Sequence, residues 1–361
     1  MGKGIQPAAR KLAADYSRST RRKWLVLLAL ALAMLGSALA SLAVGSSGLS
    51  VAEMLAALVG RGGRQASLIV WNVRLPRAAA GAAVGAALAM GGCVMQSVLR
   101  NPLASASTLG VTQGASFGAA AAIVWLGAGI QVSGAAAGVT ITNPALVTIC
   151  AFVGGAATTL VILGLARLRG VTPSVMVLAG TAVSALFTGA TTLIQYFCDD
   201  VMVATIVYWT FGSLGRAGWG EIGLVALLSA LAFLFFFINR WNYNALEGGM
   251  RTAQSLGVAV KRLILLSMVL CALVSSAATA FVGCISFIGL IAPHMVRRFT
   301  GSDYRFLIPG SALMGAVLLL LSDIVSRTML MPAVLPIGAL TSFLGAPLFL
   351  WLIVRRGGGT L

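Results

Sequence analysis

Charge is scarce in this sequence: only 9% of its 361 residues are charged, and eight of those are Asp or Glu. Soluble domains carry about 25% charged residues, so the chain lacks the polar surface to coat a water-soluble globule. Histidine occurs once, at His294, and the five cysteines (Cys93, Cys150, Cys198, Cys271 and Cys284) form no CxxC pair. A metal cluster or a Ser-His-Asp triad has almost no material here, so no catalytic or metal-ligating set is expected. A GxxxxGK[ST] phosphate loop is also missing, so the chain is not expected to hydrolyse ATP itself.

What is abundant is apolar: 59% of the residues, with a mean hydropathy of +0.98. The long unbroken apolar runs predict an all-α polytopic membrane protein. A membrane β-barrel would instead show segments of about 10 residues with alternating polarity. The formal charge of +17 would suggest nucleic acid on a soluble protein. Here no stretch forms a soluble module, and the charge reads as positive residues holding loops inside. No nucleic-acid partner is expected.

Residues 1–23 form a basic tail with Lys3, Arg10, Lys11, Arg18, Arg21, Arg22 and Lys23 against Asp15. The apolar run Trp24–Val44 covers about 30 Å as a helix. It reads as a retained first span rather than a signal-peptide core. Ser50-Val51-Ala52-Glu53 has capping-box spacing and predicts a short helix at the outer surface. Nine more spans are predicted, at 78–99, 108–130, 144–166, 174–197, 221–239, 262–282, 284–299, 306–328 and 334–354. Ten spans put both termini and most lysines and arginines inside. Residues 24–356 then form one transmembrane domain, with 240–262 an inner connection, 198–220 an outer one and 357–361 an inner tail. Gly81 and Gly85 share a helix face, as do Gly110, Gly114 and Gly118, which predicts close helix packing.

Asp323 is the sole carboxylate inside a predicted span, with Arg327 one turn later on the same face, so the two are expected to pair. Arg74-Leu75-Pro76-Arg77 opens the second span, with proline at the helix start and two arginines projecting from the outer rim. Residues 244–257 read as two short helices broken by glycines.

Together these pieces resemble a known family. Asn101-Pro102-Leu103-Ala104 followed by Leu109-Gly110-Val111 and Gly114-Ala115 is similar to the signature of the FecCD-type permeases. These are the membrane subunits of type II ABC importers for iron–siderophore, haem and cobalamin. Arg74-Leu75-Pro76-Arg77, the segment Phe287–His294, Ser322–Arg327, and Leu335-Pro336-Ile337-Gly338 through Gly345-Ala346-Pro347 continue the pattern in order, from about residue 68 to 356.

The resemblance implies a homodimer of ten-span subunits with a central path and an inverted repeat of spans two to five against seven to ten. It implies that Arg74, Arg77 and Arg327 dock a periplasmic or lipid-anchored substrate-binding protein. Glu247, Gly249, Ala253, Leu256 and Gly257 would belong to the element that couples to two cytoplasmic ABC ATPases. The family's Gly-Glu falls here on Gly249-Met250, with the acid displaced to Glu247. Asn101 and Leu103, with Thr172 and Ser174, correspond to an inner gate. Thr112, Gln113, Ser116, Thr188, Thr191 and Gln195 are expected to line the path. No cofactor is expected on this chain; ATP and Mg belong to the partner ATPase. The cargo implied is a metal chelate, a ferric siderophore first, then haem or cobalamin, carried across a bacterial inner membrane. The alternative is a secondary carrier driven by an ion gradient, for which Asp323 would be the sole titratable candidate.

Overall fold

The computed structural model describes residues 5–45, 49–131, 139–169, 172–331 and 333–356, and these form fifteen α-helices with one two-stranded hairpin. In chain order the first helices are α1 (Ile5–Ala43), α2 (Val51–Leu58), α3 (Arg64–Ile69), α4 (Leu75–Val98) and α5 (Val111–Val124). The hairpin β1 (Gly129–Gln131) and β2 (Val139–Ile141) follows, antiparallel, with Ile130 opposite Thr140. Then come α6 (Pro144–Arg169), α7 (Pro173–Tyr196), α8 (Asp200–Thr210) and α9 (Trp219–Ile238). The last are α10 (Arg240–Glu247), α11 (Met250–Ser255), α12 (Val260–Val282), α13 (Ile288–Thr300), α14 (Tyr304–Thr328) and α15 (Ile337–Arg356).

Seven helical stretches are long and apolar enough to cross a membrane: α1, the continuous run Arg64–Val98, α6, α7, α9, α12 and α14. With α5, α13 and α15 they account for the ten predicted spans. The tail is not separate from the first span, because α1 runs on from Ile5 for 39 residues. Residues 1–4 and the 357–361 tail lie outside the described residues. The stretch 198–220 holds an unpredicted helix, α8, whose 11 residues reach only about 16 Å. It packs on α5 and the hairpin and buries Thr205, Ile206 and Trp209.

Two predicted spans are shorter than expected. α5 has 14 residues and α13 has 13, and each is entered through a left-handed residue, Gly110 at φ +84° and Phe287 at φ +66°. The chain before each is irregular and tucked into the protein, the condition for non-helical backbone at membrane depth. Before α5, Ala104 and Ser105 are buried. There the Ser105 amide donates to Thr108 Oγ1 (2.8 Å) and the Thr108 hydroxyl to Ser105 O (3.0 Å). Before α13, the Ser213 amide donates to Val282 O at 2.7 Å. The packing has matching pairs: α4 on α14 and α12 on α6, α4 on α13 and α12 on α5, α5 on α6 and α13 on α14. That is the arrangement an inverted repeat of α4–α7 against α12–α15 produces.

Glycine allows the closest of these contacts. Gly85 abuts the backbone of Gly315, Gly92 that of Gly289, and Gly114 that of Gly154. The expected packing role of the Gly81/Gly85 and Gly110/Gly114/Gly118 faces is what the structure has, with Gly118 against the Cys150 carbonyl.

The expectation that Pro76 begins a helix is corrected. The helix starts at Arg64 and passes through a π-turn, Val70–Arg74, in which the Leu75 amide donates to Val70 O. In that register the carbonyl of Trp71 would accept from residue 76, and proline has no N–H to give. The Trp219 indole fills the vacancy, its Nε1 donating to Trp71 O at 3.1 Å. Trp219→Phe keeps the ring and removes this bond. We expect a loss of about 1 kcal/mol, read as a lowered unfolding midpoint in detergent, with little change for Trp125→Phe, whose ring is 65% exposed.

Candidate functional site

At the end of the bundle where α1 finishes, three guanidiniums converge. Arg77 Nε donates to Asp323 Oδ1 at 2.8 Å. Arg327 Nε lies 3.0 Å from the other carboxylate oxygen, off the hydrogen-bond direction, with its N–H turned toward Asp323 O at 3.4 Å. The remaining Arg327 nitrogens donate to Val44 O (2.8 Å), Ser41 O (3.1 Å) and Ser41 Oγ (2.9 Å). Arg74 donates to Leu42 O and Ala43 O. The last carbonyls of α1 have no intrahelical donors and carry the negative end of its dipole, so two arginines cap them.

The predicted Asp323–Arg327 pair is therefore present, with Arg77 as a third member. The picture of arginines projecting freely from a rim is corrected. Arg74 is 4% exposed, and the Arg77 and Arg327 side chains are 14% and 11% exposed. They turn inward because α1 and Asp323 offer acceptors there. The predicted capping box nearby is formed: Glu53 accepts from the Ser50 amide at 2.8 Å and gives its own amide to Ser50 Oγ at 3.3 Å. The Ser50 amide and hydroxyl hold the Glu53 carboxyl below the usual range.

The opposite end carries α10 and α11. α10 is fastened to the start of α14 by three polar contacts. Asn244 Oδ1 accepts from the Tyr304 amide (2.8 Å), Asn244 Nδ2 donates to Asp303 (3.4 Å), and the Tyr304 hydroxyl donates to Glu247 Oε1 (2.8 Å). Deeper in, the Tyr243 and Ser267 hydroxyls meet at 2.7 Å. Gly249 (φ +107°) and Gly257 (φ +83°) turn the chain into and out of α11, in conformations that side chains rarely adopt. Leu256 stands 68% exposed at the tip. Of the predicted coupling residues, Ala253 does not reach the surface. It is fully buried against its own chain, because α11 turns that side toward α12.

Asp303 caps α14 and gathers Arg305 (2.7 Å) and Lys23 (3.6 Å). Partial burial pushes its carboxyl upward, but the Arg305 guanidinium and amide and the Asn244 side chain together hold it below the usual range. A depressed carboxylate stabilises above its unfolded pKa, and that contribution disappears as pH falls through the folded one. The stability gap between the protein and its Asp303→Asn variant should therefore be full near neutrality. It should narrow as pH drops below the ordinary carboxylate range, which thermal unfolding at a series of pH values measures.

Asn101 and Leu103 form one turn, with Asn101 Oδ1 accepting the Leu103 amide at 2.9 Å and Leu103 exposed. Thr172 and Ser174 flank Pro173 at the start of α7, both exposed. Of the predicted path residues, Thr188 is exposed, and Gln113, Ser116 and Gln195 are half-buried. Thr112 and Thr191 are buried within the chain. α5 sits between α6 and α7, and Ser116 turns to the Cys284 sulfur at 3.2 Å. α7 leaves Leu178, Leu186, Leu193 and Tyr196 exposed.

Ten helical segments at the places of the predicted spans, two of them short and entered through irregular chain, with a charged cluster at one end and a fastened helical pair at the other, define the architecture of a polytopic membrane permease. The chain belongs to the FecCD transport family, whose model matches residues 30–355. It is 49% identical over 341 residues to a Methanocaldococcus jannaschii protein described as an ABC transporter permease, covering 94% of this chain and 97% of that one. It is 37% identical over 344 residues to the vitamin B12 import system permease protein of Salmonella typhimurium, covering 94% and 98%. Its fold matches a solved transporter described as of the metal-chelate ABC type, in an inward-facing conformation, with a TM-score of 0.79, 29% identity and 91% and 99% coverage. It is thus a multi-span permease subunit of the ABC importer class.

Proposed function

We propose that this chain is the permease of an importer for a metal chelate, with a ferric siderophore as first cargo and haem or cobalamin next. The observation that carries the reading is the α10–α11 element. It presents an exposed leucine between two glycines in positive-φ turns, at the end of the bundle opposite the arginine cluster. A chain without a phosphate loop needs such a handle for an external ATPase. Two ABC ATPases would press on α10 and α11, and both termini would lie on that cytoplasmic side.

A second copy would cover the leucine-rich face of α7, placing the path between subunits, with Thr188 and Gln195 facing it. Asn101 and Leu103 with Thr172 and Ser174 would close its inner end. A binding protein would dock at the arginine end. Arg74, Arg77 and Arg327 would supply its positive field and steer association, although each is already engaged internally. Asp323, held between two guanidiniums, is not poised as an ion relay, which favours ATP over an ion gradient.

The test is reconstitution with the ATPase and binding protein. ATP hydrolysis stimulated by a ferric siderophore, and less by haem or cobalamin, supports the cargo order. A different ranking of the three reassigns it. Uptake that follows a proton gradient and ignores ATP defeats the importer reading.

A further inference from the structure

The stem of α10 borders a cleft of about 200 Å³ shared with Gln96, Ser97, Arg100, Pro102, Leu246 and Arg297. Two of the polar atoms lining or adjoining it are buried without a partner: Gln96 Oε1 and Arg297 Nε. An unsatisfied buried donor or acceptor is costly and rare. Both signs of charge are also present in the cleft. Glu247 enters from α10, Arg297 from the last turn of α13, and Arg100 from the end of α4, where its backbone is held at φ +46°. Yet among the described residues no ion pair joins Glu247 to either arginine. Glu247 is held only by the Tyr304 hydroxyl.

Opposite charges lining one small cleft, left apart beside two orphaned polar atoms, are the signature of a contact belonging to another arrangement of the same parts. We infer that Arg297 is a positioning residue of the transport cycle. In the alternate state the end of α10 moves about Gly248-Gly249, Glu247 leaves Tyr304, and the Glu247–Arg297 ion pair closes the cleft. The pair would tie the ATPase-facing element to α13 and to the Asn101–Gly110 loop that follows Arg100. The displacement of the acid to position 247 then has a purpose: at 247 it faces the cleft. This inference rests on the proposed importer reading.

The experiment uses the complete transporter in proteoliposomes, with ATP hydrolysis stimulated by the binding protein as one readout. Disulfide formation in Glu247→Cys/Arg297→Cys, with and without ATP, is the other. Glu247→Gln and Arg297→Gln should each lower stimulated hydrolysis by about tenfold, and Glu247→Arg/Arg297→Glu should recover most of it. Cross-linking should be strong in one nucleotide condition and weak in the other, a change that a purely structural role would not produce. Single variants within about twofold of the parent, a swap no better than the singles, or cross-linking indifferent to ATP would each overturn the inference. A parent complex whose hydrolysis the binding protein does not stimulate counts against the importer reading instead.

Discussion

Asp323→Ala should cost the permease about 3–5 kcal/mol, because it leaves two inward-turned guanidiniums without their shared anion. Asp323 is fully buried, and one nitrogen of Arg77 already lacks a partner, so the variant strips carboxylate acceptors from a cluster already short of them for its arginines. Asp323→Asn keeps an oxygen for Arg77 but loses the charge, and should fall between the parent and the alanine variant. Adding Arg77→Met to Asp323→Ala should recover part of the loss, since one uncompensated cation is removed with its partner. Arg327 would not allow the same rescue, because it also holds Ser41 and Val44 at the end of α1. Thermal unfolding in detergent orders the four proteins. An alanine variant within about 0.5 kcal/mol of the parent would mean that water already solvates these arginines.

How much of this was legible in the sequence depended on whether the signal was local. Hydropathy placed the ten apolar segments, and the Ser50–Glu53 box and the Asp323–Arg327 spacing were readable because both partners lie within one turn. The breaks before α5 and α13 were hidden: each is an apolar stretch whose irregular backbone is made tolerable by distant chain, such as Val282 meeting Ser213. Arg77 could not be assigned to Asp323 from spacing, since 246 positions separate them. The motif drew attention to Arg74 and Arg77, while the last carbonyls of α1 and the Asp323 carboxylate decided which way they turn. The inward turn of Ala253 was not readable either, because a six-residue helix gives no periodicity by which to tell its buried side from its exposed one. Tyr304 and Asn244, which fasten α10, carried no signal beyond being polar next to apolar runs. Arg216, whose nitrogens hold Tyr208 O and Trp209 O at the end of α8, was missed because α8 itself was.

Two adjacent glycines should behave in opposite ways. A Cβ on Gly92 would collide with the carbonyl and Cα of Gly289, backbone against backbone, whereas on Gly91 it would meet only Ser275 Oγ at 3.7 Å. No rotamer change relieves the first contact, because α4 is held between α13 and α14. Gly92→Ala should therefore cost at least the 1–3 kcal/mol typical of overpacking, and Gly92→Val should leave little folded permease in the membrane. Gly91→Ala removes a glycine from a helix interior and fills open space, so it should be neutral or stabilising by up to about 1 kcal/mol. Because α13 begins where the chain is already broken at Phe287, it is the element that would yield. Trypsin cleavage after Arg297 and Arg298, followed in membranes, should accelerate in Gly92→Ala and not in Gly91→Ala. Equal behaviour of the two variants would show that α4 and α13 are not in backbone contact in the bilayer, and the pairing of α4 with α13 as the counterpart of α12 with α5 would lose its physical basis.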